Sequence, residues 1–283
     1  MATDGQRKCL KMLKPFLKWA GGKRAILPQI LKHIPKEYNT YYEPMIGAGA
    51  LFFELMPKAA VINDVNEELI NCYEVIRNNP QELIEALKNY KNSEEFFYKT
   101  RALDRSPSWG NMSRIDRAAR TIYLNKTCYN GLYRVNSRGQ FNAPYGRYSG
   151  EIKIEKDLLI NISNYFKQTQ IEILNKDFKE AISLAKKGDF IYFDPPYDPL
   201  NKTSSFTAYT KKGFDDSDQI RLKDTFVSLV ERGCSVLLSN SSTDFIRNLY
   251  KDYQIVEIMS PRCINSEGQK RGKIKELLII GGK

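Results

Sequence analysis

A chain of 283 residues, 42% hydrophobic and 27% charged, has ordinary globular composition: one large domain, or a core domain carrying a smaller insert, with disorder not expected. Its longest apolar runs, such as Val236-Leu237-Leu238, are too short for a bilayer, Met1 to Pro15 lacks a signal's apolar stretch, and His33 is the single histidine beside five scattered cysteines (Cys9, Cys72, Cys128, Cys234, Cys263). Secretion, membrane insertion and a metal site are therefore not expected, a reducing cytoplasm is, and the net charge of +11 points toward acidic partners.

The first predicted elements are a strand over Tyr41 to Pro44, the glycine turn Gly47-Ala48-Gly49 and a helix from about Ala50. A second short strand, Ala59 to Ile62, ends at Asn63-Asp64. From Glu67 to Leu124 the apolar spacing is helical, with breaks at Asn78-Pro80 and Pro107-Gly110 and a capping serine, Ser113. Past Asn125, Gly131, Gly139, Pro144 and Gly146 punctuate a loop or hairpin. Strands over Ile171 to Leu174, Phe190 to Phe193, Ser235 to Ser239, Ile255 to Met259 and Leu277 to Ile280 alternate with helices over Lys179 to Lys186, Ser217 to Arg232 and Asp244 to Tyr250. This alternation predicts an open, mostly parallel α/β sheet of Rossmann-like type, interrupted by a helical and hairpin insert. The expected division is 1–68 with 158–283 as the catalytic part and 69–157 as the insert.

Between Arg117 and Gly150 stand six basic residues (Arg117, Arg120, Lys126, Arg134, Arg138, Arg147) and no acidic one, interleaved with Tyr123, Tyr129, Tyr133, Phe141, Tyr145 and Tyr148. Such a mixture suits phosphate neutralisation and base stacking, although a solvated basic face has the same composition.

Three motifs carry the chemistry. Glu43-Pro44-Met45-Ile46-Gly47-Ala48-Gly49 places a glycine turn between strand and helix, where backbone approaches a nucleotide-like ligand; Asp64, closing the next strand, suits ribose hydroxyls. Phe52 replaces the third glycine of the dinucleotide fingerprint, which counts against a nicotinamide enzyme. Phe16 through Lys23 sets an aromatic and a lysine beside a second glycine pair without phosphate-loop spacing, an arrangement suited to a zwitterionic ligand. Asp194-Pro195-Pro196-Tyr197 follows an apolar strand. There a carboxylate and a proline carbonyl can take both hydrogens of an exocyclic amino group, freeing its delocalised lone pair. Tyr197 can stack on the base, and the prolines fix the acceptors in advance. As a lone turn, Asp-Pro-Pro carries no function; its place at a strand end, with the glycine turn and Asp64 upstream, favours catalysis.

In that order these motifs resemble the Dam-type DNA adenine N6-methyltransferases over nearly the whole chain, and within that family the methylase of the pneumococcal DpnII restriction–modification system. The resemblance implies a sheet that binds S-adenosylmethionine, transfer of its methyl group to adenine N6 in double-stranded 5'-GATC-3', and a target base flipped into the site of Asp194, Pro195, Pro196 and Tyr197. It implies donor contacts from Trp19, Lys23, Glu43, Pro44, Gly47, Gly49, Asp64 and Asp194, with Asp177-Phe178 beside the donor's adenine. Ala48 and Ala50 stand where the family is often richer in glycine. It also implies that Tyr129, Asn130, Leu132, Arg134, Asn136, Pro144 and Tyr148 form the DNA-reading hairpin. Arg134 would read guanine, Leu132 and Pro144 would touch thymine methyls, and Tyr129 and Asn130 would wedge into the duplex. Lys126, Arg138 and Arg147 fit phosphate contact or a solvated face better than base reading.

Competing readings are a cytosine-N4 methyltransferase, an enzyme acting on RNA or protein amino groups, and a non-catalytic DNA-binding regulator; the intact Asp-Pro-Pro-Tyr opposes the last. None of the cysteines follows a proline, so a cytosine-C5 mechanism has no nucleophile. His33 is expected on a helix surface, Asn201 to Gly213 as a loop after the catalytic turn, and Asn240-Ser241-Ser242 as helix capping. A restriction endonuclease would be a functional, not physical, partner.

Overall fold

The computed structural model describes residues 13–19, 21–199, 213–261 and 273–282. Seven strands form one sheet in the order β3-β2-β1-β4-β5-β7-β6. They are β1 (Tyr41–Glu43), β2 (Ala59–Asn63), β3 (Gln170–Leu174), β4 (Phe190–Phe193), β5 (Ser235–Ser241), β6 (Gln254–Pro261) and β7 (Lys273–Gly281). The first five run parallel, and β7 inserts antiparallel between β5 and β6. The helices are α1 (Leu27–Ile30), α2 (Ala50–Leu55), α3 (Glu67–Asn78), α4 (Pro80–Lys88), α5 (Glu94–Ala102), α6 (Arg114–Thr127), α7 (Lys156–Gln168), α8 (Phe178–Ala181), α9 (Asp216–Glu231) and α10 (Asp244–Leu249).

Both faces of the sheet are covered. All four residues of β4 are buried, as a central parallel strand requires, while edge strand β3 alternates exposed and buried positions. Successive side chains of a strand point to opposite faces, and the apolar clusters divide accordingly. Tyr41, Phe190, Tyr192 and Leu237 pack on one side with α3, α4 and α7. Tyr42, Ile191, Phe193, Val236 and Leu238 pack on the other with α9 and α10.

A third cluster, Phe97, Tyr123, Leu124, Cys128, Tyr133, Val135, Phe141 and Ala143, belongs to the insert alone. Helix α6 serves both bodies: Ala118, Ala119 and Ile122 face the sheet's core, and Tyr123 and Leu124 the insert's. The expected boundaries at 68/69 and 157/158 fall within the first turns of α3 and α7. Leu69 to Leu87 share the sheet's core, so the separately packed part of the insert is confined to about 97–143.

Helix starts follow local chemistry. The Ser113 hydroxyl accepts from the Asp116 amide at the start of α6, and Asp215 forms a capping box with Asp218 on α9. The helix anticipated over Lys179 to Lys186 closes after Ala181, because Ile182 leaves helical geometry and the chain turns into β4. His33 ends a short 3-10 turn, half-buried. The Asn201 to Gly213 loop lies, apart from Gly213, outside the described residues, as do Cys9 and Cys263. No helix among the described residues is long and apolar enough to cross a membrane.

Candidate active site

From β1 the chain builds outward through β2 to β3, then returns to lay β4 on the other side of β1. Where strand order reverses, connections leave the sheet in opposite directions and open a crevice at the carboxyl ends of the strands. Glu43-Pro44 and Asp194-Pro195 leave adjacent strands at that crevice.

On the β1 side, the turn is held by its neighbours. Asn63, fully buried, donates to the carbonyls of Pro44 (2.8 Å) and Lys176 (3.0 Å) and accepts from the Lys176 amide (2.8 Å), tying the ends of β1, β2 and β3 together. Gly47 and Gly49 are both in the left-handed region, at φ 50° and 70°. A Cβ on Gly47 would stand 2.9 Å from Trp19 Cδ1, and one on Gly49 2.9 Å from the Tyr73 hydroxyl. That hydroxyl donates to the Gly47 carbonyl at 3.0 Å. Only glycine satisfies both the backbone and the space. The Asp64 carboxylate accepts from the amides of Gly47 (3.0 Å) and Asn66 (2.9 Å). Burial pushes its carboxyl up to about 6, against those backbone donors. It has the acceptor capacity for further hydroxyl donors.

On the β4 side, Lys23 Nζ pairs with Asp194 Oδ1 at 2.7 Å, donates to the Gly21 carbonyl, and lies 4.6 Å from the centre of the Tyr197 ring. Burial raises the Asp194 carboxyl to about 6; Lys23 opposes the rise and Glu276 adds to it. The turn itself is clamped by two buried amides that sequence reading did not select. Gln219 on α9 donates to the Pro196 carbonyl (3.0 Å) and accepts from Asn240 on β5 (3.0 Å). Asn240 in turn accepts from the amides of Asp198 (3.2 Å) and Ser241 (2.8 Å). Asn240, at the end of β5, thus braces the Asp-Pro-Pro-Tyr turn, while Thr243 caps α10. The Tyr197 hydroxyl donates to Glu276 Oε2 at 2.8 Å. Gln219 and Glu276 are far away in sequence and carry no local motif, so only the Asn240 strand end had a signal.

Glu43 is 2% exposed, accepts from the Tyr41 hydroxyl at 2.6 Å, and burial raises its carboxyl to about 8. Pro44 is likewise buried. Asp177 caps α8 through the Lys179 amide and pairs with Arg221 at 2.8 Å; the Arg221 guanidinium covers the buried Phe178 ring at 4.4 Å.

The basic, aromatic stretch resolves into three roles. Arg120 is buried against Asp104 (2.8 Å) and the Thr100 and Arg101 carbonyls, Arg117 pairs with Glu67 and Glu68, and Lys126 lies 3.7 Å from Glu155. Tyr123, Tyr133 and Phe141 are core. These residues hold the insert together, so the stretch is not an open basic surface throughout. What remains open is the surface at the hairpin's base, beside the Cys128–Tyr145 bridge, and part of its Asn136–Gln140 turn. Tyr129 is 56% exposed beside Asn130, whose φ is 56°, and the Tyr148 hydroxyl accepts from the Asn130 amide at 3.1 Å. Pro144 and Arg138 are exposed, and Leu132 is half-buried. Asn142 holds the Arg134 guanidinium through Nε (2.7 Å) and Nη2 (3.2 Å). Asn136 is committed to its own turn, accepting from the Arg138 and Gln140 amides.

A crevice at a strand-order reversal, a glycine turn with an acidic residue on one wall and a preorganised Asp-Pro-Pro-Tyr turn on the other, defines an α/β enzyme of the methyltransferase class. Residues 19–263 match the family model described as D12 class N6 adenine-specific DNA methyltransferase, and the chain belongs to that family. The Type II methyltransferase M1.LlaDCHI of Lactococcus lactis subsp. cremoris is 49% identical over 269 residues, spanning 94% of this chain and 95% of that protein. The Type II methyltransferase M.MjaIII of Methanocaldococcus jannaschii is 44% identical over 288 residues, 95% of this chain and 99% of its own length. A DNA adenine methylase of Haemophilus influenzae is 34% identical over 278 residues, 95% of this chain and 94% of its own. The protein is an adenine-specific DNA methyltransferase, and its substrates are DNA and a methyl donor.

Proposed function

We propose that the methyl donor is S-adenosylmethionine, that the target is the adenine of GATC in duplex DNA, and that this adenine is flipped into the Asp194–Tyr197 turn. The observation that carries the reading is the juxtaposition of Asp194 with the Gly47–Asp64 wall across the switch point. The crevice fits such a donor: Gly47 and Gly49 admit close backbone approach, and the half-buried Asp64 carboxylate suits a pair of ribose hydroxyls. Lys23 suits a carboxylate and Trp19 lies over the glycine turn. Bound there, the donor supplies an electrophilic methyl carbon on a sulfonium. Asp194 and the Pro195 carbonyl take the N6 hydrogens and make N6 pyramidal, so that its lone pair points at the methyl. Tyr197 stacks on the base. Burial raises the Asp194 carboxyl against the pull of Lys23, and an N6–H would give the carboxylate a further donor.

Residues 69–157 then carry DNA recognition, with Arg134, oriented by Asn142, on a guanine edge. Tyr129 and Asn130, at the base of the hairpin, fill the space the flipped base leaves. The resemblance of the motifs to the Dam-type methylases supports GATC, and the Type II names of the two relatives suit a place beside a restriction endonuclease in the cytoplasm. The test is expression in cells lacking adenine methylation, with methylated sites mapped by single-molecule sequencing, and transfer from labelled S-adenosylmethionine to GATC duplexes. Methylation at another sequence would refute GATC; label transfer to cytosine would refute the N6 assignment.

A further inference from the structure

Among the described residues, the group charges around the Asp-Pro-Pro-Tyr turn do not balance: Lys23 is the cation paired there, while two carboxylates, Asp194 and Glu276, bear on it. Glu276 comes from β7, opposite Ser241 of β5, and is 7% exposed. A buried carboxylate is costly, and a fold built for stability alone would favour a neutral partner for the Tyr197 hydroxyl. The Tyr197 ring already receives a cation: the Lys23 ammonium lies 4.6 Å from its centre.

We propose that Glu276 is a positioning residue for methyl transfer, acting through Tyr197 to make the face on which the adenine stacks more attractive to positive charge. The inference rests on the proposed function above. In the transfer step the N6–carbon bond forms as the methyl–sulfur bond breaks, and sulfur keeps the electron pair. Positive charge therefore passes to the adenine amino group, where it stays until an N6 proton leaves to solvent or to Asp194. A phenol that donates to a carboxylate is electron-richer than a free phenol, so its ring attracts a cation more strongly. Glu276 fixes the ring's orientation by the same bond, 2.8 Å long. The negative charge it adds is of use only as the base becomes cationic, so its contribution falls on the transition state and not on substrate binding.

The experiment is single-turnover methyl transfer on a GATC duplex by wild type, Glu276→Gln, Glu276→Asp, Tyr197→Phe and the Tyr197→Phe/Glu276→Gln double variant, with duplex and S-adenosylmethionine affinities measured in parallel. Glu276→Gln should lower the transfer rate about ten-fold, the scale of one charge-assisted hydrogen bond, with both affinities within about two-fold of wild type. Glu276→Asp should recover part of the loss. Tyr197→Phe, which keeps the ring, should lose a similar factor, and adding Glu276→Gln to it should cost little more. An unchanged rate in Glu276→Gln, or an undiminished second loss in the double variant, would overturn the proposal. Should Glu276→Gln not fold, a wild-type rate in Tyr197→Phe would overturn it equally. A wild-type enzyme inactive on GATC would instead count against the proposed function.

Discussion

Trp19 stacks on Tyr133 with ring centroids 4.7 Å apart and planes inclined by 23°. One ring stands over the glycine turn at Gly47, and the other belongs to the core of the insert. Asn125 locks the same junction, accepting from the Lys18 amide (2.9 Å) and donating to the Lys18 (2.7 Å) and Gly131 (3.1 Å) carbonyls. The N-terminal segment thus ties the donor side of the crevice to the base of the hairpin.

Trp19→Ala should accordingly weaken S-adenosylmethionine binding and GATC binding together, and lower stability by about 3 kcal/mol, as loss of a large, mostly packed aromatic does. Calorimetric titrations with each ligand check it; loss confined to one ligand would show that the stack joins nothing functional.

Asp194→Ala should abolish methyl transfer with the fold intact, since the proposed mechanism makes its carboxylate the acceptor for N6. Turnover near wild type, measured with labelled donor, would remove it from the mechanism. The same substitution frees Lys23 from its ion pair.

Asp64→Ala should weaken S-adenosylmethionine binding by one or two hydrogen bonds, about 1 kcal/mol each. Calorimetry at constant pH decides the point. Unchanged affinity would mean that Asp64 serves only the Gly47 and Asn66 amides.

Glu43 gives a pH prediction. Its carboxyl rises from an ordinary 4.5 to about 8 on folding, so the folded protein holds a proton that the unfolded chain has released. The proton-linked stability is complete below the unfolded value, and it is lost as pH rises through the folded one. Glu43→Gln, which mimics the protonated group, should therefore gain stability relative to wild type as pH rises from about 5 to about 9. Urea midpoints across that range read the difference, and a gap that shrinks with pH would contradict it.

Reading and holding within the hairpin separate by salt dependence. Arg134→Ala should cost about 1–3 kcal/mol at one guanine and relax discrimination there. Arg138→Ala should weaken all duplexes alike and reduce the salt slope by about one unit. The measurement is kcat/KM on GATC and singly substituted duplexes at fixed ionic strength. Equal losses on every duplex for Arg134→Ala would leave it a backbone contact.

What the sequence determined by itself is the local grammar. The apolar run Phe190 to Phe193 is a strand because it is buried on both faces. Gly47 and Gly49 stand where φ is positive, Ser113 caps a helix, and Asp194 follows a strand end; each rests on a few neighbouring residues. Tertiary structure alone decided everything that depends on distant residues meeting. It brought Glu276 and Gln219 to the Asp-Pro-Pro-Tyr turn from β7 and α9, and it buried Glu43 against the Tyr41 hydroxyl. It also sorted the basic, aromatic stretch into core, ion pairs and an open hairpin surface. Whether Arg120 neutralises a phosphate or Asp104 is decided by where α6 packs, since charge pattern is the same in both cases.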